Sequence, residues 1–203
     1  MTISRTANLR ASDALWLDNL PAHWDEHRAK RVFRQVRLRR LSTDEQLSAT
    51  QKYGVVPQST FMKDEGNRLV LALSGTENFR HVDQDDFVIS LRSFQGGIER
   101  CHYSGCVSPA YTVLKKDRDL SEGFFAFLMK CDWFVAALQI GITGIREGKN
   151  VSYEEFGEII LPFPPLSEQK AIATFLYQEI GQIDGLIDKK SRFISVLNDK
   201  EKA

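Results

Sequence analysis

Side chains suited to gripping another molecule are gathered beside glycines and in one basic run. Arg92, Ser93 and Gln95 precede Gly96 and Gly97, and Arg146, Lys149 and Asn150 stand among Gly141, Gly144 and Gly148. Glycine lets a backbone come close to a ligand, and arginine and glutamine form paired hydrogen bonds with the major-groove edges of guanine and adenine. These six polar residues are candidate DNA-contacting groups, with Arg92, Gln95 and Arg146 expected at base edges, although an ordinary surface loop has a similar composition. From His23 to Arg40 lies the densest positive run, with His27, Arg28, Lys30, Arg31, Arg34, Arg37, Arg39 and Arg40, interleaved with Val32, Phe33, Val36 and Leu38 as buried anchors. Such a run is more often a solvated face than a binding site. Lys and Arg on a rigid element can also neutralise DNA phosphates and so orient a protein on the duplex. Arg34, Arg37, Arg39 and Arg40 are assigned to that role.

Catalytic constellations are missing from the same sequence. Phe163-Pro164-Pro165-Leu166 superficially matches the Asn/Asp-Pro-Pro-aromatic motif of amino-methyltransferases, but it lacks both the side-chain acceptor for an amino group and the aromatic that stacks a flipped base. No Walker-type phosphate loop and no Gly-x-Ser-x-Gly nucleophile occurs. Asp83, Asp85 and Asp86 could hold magnesium, yet no lysine follows at the spacing nucleases use, and a solvated turn is the expectation. Cys101, His102 and Cys106 lack the second ligand pair that structural zinc requires, and residues alternating along a strand face opposite ways, which disfavours a Cys–His nucleophile. The expectation is no catalytic residue, no metal and no cofactor.

Composition sets the frame. With 203 residues and 42% of them hydrophobic, the chain can bury one sizeable core and carry one appended element. The formal net charge is zero, so any nucleic-acid binding must come from local clusters rather than a global field. No apolar run approaches the ~18 residues of a membrane span, and the N-terminus lacks the apolar core of a secretion signal, which predicts a cytoplasmic protein. Three cysteines, an odd number in a chain of that type, predict free thiols.

The elements that must position these residues read as α+β. Residues 1–20 are polar, with few anchors, and predict a flexible tail. Leu69–Leu73, Phe87–Leu91, Ile98–His102, Tyr111–Leu114 and Glu158–Leu161 predict strands of a mixed sheet. Gly96 and Gly97 predict a tight turn. Ser121 can cap a helix from Glu122 to about Ile140, whose wide apolar face is core. Ser152–Phe156 predicts one helical turn ended by Gly157.

Pro162, Pro164 and Pro165 then force an extended arrival, so a helix can begin only after them, with Ser167 as the expected cap. Ile180, Ile183, Ile187, Ile194 and Leu197, with Lys190 at the intervening seam position, recur at heptad spacing and predict a coiled-coil helix over about 167–203, roughly 50 Å long. The entry LPFPPLSEQKAIATFL followed by IDGLIDKK resembles the conserved-region helix of the specificity subunit of type I restriction-modification enzymes. Phe87–Lys115 and Leu20–Val36 are similar to other stretches of that family, the latter to the start of a target-recognition domain. Arg37–Asp86 is the least matched part.

The resemblance implies a half-subunit: a target-recognition domain over 21–162, followed by one conserved spacer helix. It implies double-stranded DNA as ligand, one part of a bipartite site read by the domain, and docking of modification subunits that methylate adenine with S-adenosylmethionine and of restriction subunits that cut. A second conserved helix, supplied in a homodimer, would cover the apolar stripe. Two other classes stay open: a small DNA methyltransferase or nuclease with an unseen motif, and a coiled-coil adaptor without DNA contact. Cofactor binding separates the first, and the Phe87–Lys115 resemblance speaks against the second.

Overall fold

The computed structural model describes residues 8–50, 54–59, 76–141 and 151–201. Its strands are β1 (Leu9–Ala11), β2 (Asn19–Pro21), β3 (Asp25–Arg28), β4 (Phe33–Val36), β5 (Leu47–Thr50), β6 (Gly54–Pro57), β7 (Arg80–Val82), β8 (Phe87–Ile89), β9 (Glu99–Arg100), β10 (Gly105–Val107), β11 (Thr112–Lys116) and β12 (Ile160–Phe163). The helices are α1 (Ser93–Gly96), α2 (Glu122–Leu128), α3 (Asp132–Gly141), α4 (Tyr153–Glu158) and α5 (Leu166–Glu201).

The central sheet has the order β4-β11-β8-β9, and its neighbours are antiparallel. Alternation along its strands gives it two buried faces. Phe33, Phe87, Ile89 and Leu114 point into a core shared with Phe124, Phe125, Phe134 and Phe156 of the helices. Val36, Val88 and Val113 point the other way, onto Leu47, Val55, Val82 and Val107 from the small ladders β5-β6 and β7-β10, and onto Cys101 just after β9. The molecule is thus helix, sheet and ladder in three layers, as expected of an α+β chain. Phe33 centres the aromatic cluster, edge-on to Phe87 and Phe125 at 5.3 and 5.4 Å, a favoured arrangement of ring quadrupoles.

Several expectations are corrected. Residues 8–20 are not a tail: β1 and β2 pair as an antiparallel hairpin, and Ala14 and Leu20 are buried. Partners remote in sequence fix it. The Trp16 indole donates to the Ile160 carbonyl at 3.0 Å, and Arg10 pairs with Glu26 at 2.6 Å. Burial pushes the Glu26 carboxyl up, but hydrogen bonds from Ser12 and Arg10 hold it below its ordinary value. The helix foreseen over Glu122–Ile140 is two, interrupted at Met129–Cys131. There the Met129 carbonyl accepts from the Ile98 amide, beside Gly97 in a left-handed conformation, φ +82°. Gly96 closes a single helical turn rather than a tight turn, and Gly157 lies buried inside α4 instead of ending it. Leu38, named as a buried anchor, is exposed. The strand expected at Leu69–Leu73 lies outside the described residues.

The capping residues Ser121 and Ser152 act as foreseen, accepting from the Phe124 and Glu155 amides, and Glu155 completes a capping box. Ser167 does not cap α5. The helix starts one residue earlier, and the Pro165 carbonyl receives the Glu168 and Gln169 amides. A fully buried Gln169 fastens this root: its Oε1 accepts from the Ser121 amide and its Nε2 donates to the Pro164 carbonyl, each at 2.8 Å. Glu168 receives the Trp24 indole at 2.9 Å, which with His23 lowers its pKa. Ala173 and Tyr177 then lie on Gly123, and Tyr177 meets Phe127 at 4.7 Å. Beyond Tyr177 every residue through Leu197 is exposed. At 36 residues, α5 is about 54 Å long.

Candidate nucleic-acid interface

Strand pairing brings remote arginines to one end of the central sheet. In the β4-β11-β8 ladder Val36 pairs with Val113, and Thr112 with Ile89, so the chain leaving β4, the chain entering β11 and the chain leaving β8 share that end. Arg37, Arg39 and Arg40 follow β4, Tyr111 precedes β11, and Arg92 and Gln95 follow β8. The segment after β4 runs beside β7 through an antiparallel bridge, Arg39 to Arg80. Arg80 therefore joins the group. Its Nη1 donates to the Tyr111 carbonyl at 2.6 Å, and burial, then the nearby Arg37 charge, lower its pKa. Burial raises the Tyr111 hydroxyl pKa, and the Arg92 charge opposes that shift.

The hydrogen-bond partners of these arginines are neutral groups. Arg37 donates to Gln35 at 3.3 Å and Arg40 to the Thr76 hydroxyl at 2.7 Å. None of Arg37, Arg39, Arg40, Arg80 and Arg92 forms a salt bridge among the described residues. Other basic groups of the domain are matched: Arg28 and Lys30 share Glu158, Arg100 holds Asp85, Lys116 holds Glu122 and Lys130 holds Glu99, while Arg31 and Arg118 form no salt bridge among the described residues. The Arg37 and Arg80 charges repel one another, and a polyanion laid across them would relieve that repulsion.

The candidate residues fall into distinct places. Arg37, Arg39, Arg92 and Gln95 are exposed at the sheet end. Arg34 is not with them: it lies toward the opposite end of β4, paired with Asp117 at 2.7 Å. Ser93 is a correction, since it is buried and its hydroxyl accepts from the Ser90 amide to close the turn. Arg146, Lys149 and Asn150 lie outside the described residues. Arg80 escaped the sequence reading because a lone arginine in a three-residue strand carries no local signal. Asp83, Asp85 and Asp86 do not form a freely solvated turn. Lys115 engages Asp83 and Asp86, Arg100 holds Asp85, and Asp86 is buried, which raises its pKa. A groove lined by Ala14, Leu15, Trp16, Ala137, Ile159 and Ile160 is apolar, and its charged lining is acidic, Asp13, Glu155 and Glu158. It suits no phosphate.

On α5, Ile180, Ile183, Ile187, Lys190, Ile194 and Leu197 are all exposed, as are Leu186 and Phe193. The last two widen the two-per-heptad seam into a stripe of three positions per heptad, a pattern that faces a broader surface than one narrow coiled-coil seam. Among the described residues no helix is long and apolar enough to cross a membrane.

A domain with a basic sheet end, carried on one long helix with an uncovered apolar stripe, has recognisable relatives. No family model matches the chain. Over 114 residues it is 27% identical to a protein of Methanocaldococcus jannaschii described as a putative type I restriction enzyme MjaX specificity subunit; the match covers 55% of this chain and 25% of that protein. Its fold is similar to that of the HsdS subunit from Thermoanaerobacter tengcongensis, with a TM-score of 0.52 and 16% identity over 82% of this chain and 40% of that one. A second solved chain, from a study of complex assembly and conformational transition in the type I restriction-modification system, has a TM-score of 0.54 with the same identity and coverage. The resemblance read from the sequence is borne out: this chain has an HsdS-like fold and a specificity-subunit relative, and it spans well under half the length of each.

Proposed function

We propose that this chain recognises one part of a bipartite DNA site for a type I restriction-modification system. The unpaired arginine group at the end of the central sheet carries the reading, because it concentrates positive charge in a molecule whose net charge is zero. Arg37, Arg39, Arg40 and Arg80 neutralise phosphates and set the orientation, while Arg92 and Gln95 approach base edges. Arg146 joins them at base edges, and Lys149 and Asn150 add DNA contacts. The relative and the HsdS-like fold support the assignment. Modification and restriction subunits supply methylation and cleavage, and the chain itself is non-catalytic. Through α5 two copies pair antiparallel about a two-fold axis, which carries a recognition domain at each end of the spacer.

The test is DNA selection by the chain assembled with its modification subunits, followed by affinity measurements across a salt series. Arg37→Ala and Arg80→Ala are expected to weaken every sequence alike and to flatten the salt dependence by about one unit each, whereas Arg92→Ala costs about 1–3 kcal/mol on the selected word alone. Calorimetry is expected to show no S-adenosylmethionine site on the isolated chain. A micromolar site for that cofactor, or unchanged DNA binding in all three variants, would overturn the proposal.

A further inference from the structure

The arginine segment is held at its far end by a histidine with a carboxylate on each ring nitrogen. His81 Nδ1 lies 2.9 and 3.1 Å from the two Asp44 oxygens, and its Nε2 lies 3.0 Å from Asp83 Oδ1. Carboxylates accept and do not donate, so both contacts are satisfied only when both nitrogens carry hydrogen, as in the imidazolium. The Asp44 carboxylate is almost wholly buried and also receives the Leu41 amide at 2.7 Å. The backbone around it is knit to β7: His81 N donates to the Leu38 carbonyl, and Arg40 N to that of Phe79.

We infer that the charged His81 is a positioning residue for DNA, clasping Asp44 so that the segment bearing Arg37, Arg39 and Arg40 stays aligned beside Arg80. This rests on the DNA-binding reading above. Loss of the proton leaves one ring lone pair facing a carboxylate and the buried Asp44 charge without its cation, an arrangement that favours release of the turn. The other charged groups around the clasp are Lys115 and Asp86, which act through Asp83, and Arg40 with the Cys106 thiol near Asp44. Burial lowers the His81 pKa, but the two carboxylates outweigh it and raise the value above that of a free histidine. A raised folded pKa means that the clasp is complete below the ordinary histidine value and is lost as pH rises through the folded one.

The experiment combines NMR titration of the His81 ring nitrogens with DNA affinity from about pH 6 to about pH 8.5 at fixed ionic strength, a range that brackets histidine ionisation. In the native chain affinity is expected to fall on the order of tenfold with the His81 midpoint. The amide signals of Arg37 to Arg40 are expected to move with it. His81→Gln, which cannot titrate, is expected to bind at the weaker level without the pH step. Asp83→Asn, a milder change, should lower the His81 midpoint and shift the DNA step equally. A pH step that persists in His81→Gln, a DNA step that ignores the shifted midpoint, or Arg37 to Arg40 amides unmoved by His81 titration would overturn the clasp. Absence of DNA affinity at every pH, with those amides still following His81, would instead sink the DNA reading.

Discussion

Two residues show how single positions bind this molecule together. A Cβ built on Gly97 would lie 2.1 Å from the Met129 carbonyl oxygen, in a backbone conformation that side chains avoid. Gly97→Ala is therefore expected to cost about 1–3 kcal/mol or more, read as a lowered urea midpoint with unchanged slope, because the turn between α2 and α3 has to move. Gln169→Ala strips partners from the Ser121 amide and the Pro164 carbonyl in a fully buried place. About 1–3 kcal/mol of destabilisation should follow in the same assay, and a loss below a few tenths would show that water replaces the amide. Sequence made one of these positions only half legible. Gly96 and Gly97 announce a turn, but the carbonyl that forbids a side chain there belongs to a residue 32 positions later. Gln169 gave no sign of its role, since its partners are set by tertiary packing.

At the scale of elements, legibility followed locality. Prolines before α5 and heptad spacing within it exposed the longest helix in the chain, and Ser121 and Ser152 marked two more starts, because caps and periodicity act within a few residues. The β1-β2 hairpin stayed hidden because Trp16 and Arg10 find their partners in β12 and β3, far along or outside the local pattern. The width of the α5 stripe was also missed, since Leu186 and Phe193 stand one position off the seam first traced. Each apolar side chain covered there contributes roughly 1.5–3 kcal/mol. Ile183→Asp with Ile187→Asp is expected to convert a pair of chains to a 23.2 kDa monomer in light scattering, while the thermal midpoint of the domain itself stays put. Phe193→Ala should weaken pairing as much as a seam substitution if the wider stripe is the contact, and leave it intact if only the narrow seam is used. Lys190 can lay its stem along the stripe and keep its ammonium wet.

Over the whole molecule, charge is distributed with a purpose that composition conceals. A net charge of zero excludes a polycation, yet the antiparallel ladders collect five arginines from three separate stretches at one sheet end. That gathering was beyond the sequence, where only the run ending at Arg40 was visible and Arg34 looked equal to its neighbours. A chain with Arg37, Arg39 and Arg92 all replaced by alanine is expected to keep its fold, because all three are exposed and none carries a salt bridge among the described residues, and to lose DNA retention at moderate salt. Unchanged retention alongside an unchanged melting curve would move the interface elsewhere. The rooted helix has a mechanical consequence as well. Trp24 and His23 grip Glu168, Ser121 and Pro164 grip Gln169, and Ala173 and Tyr177 lie on α2, so α5 is clamped from its first turn to Tyr177 and unsupported past it. The free arm beyond Tyr177, about 36 Å long, sweeps about 0.6 Å at its tip for every degree it turns about such a clamp. A small tilt of the domain is thereby carried into a displacement at the far end of the helix, and the clamp residues become the gearing.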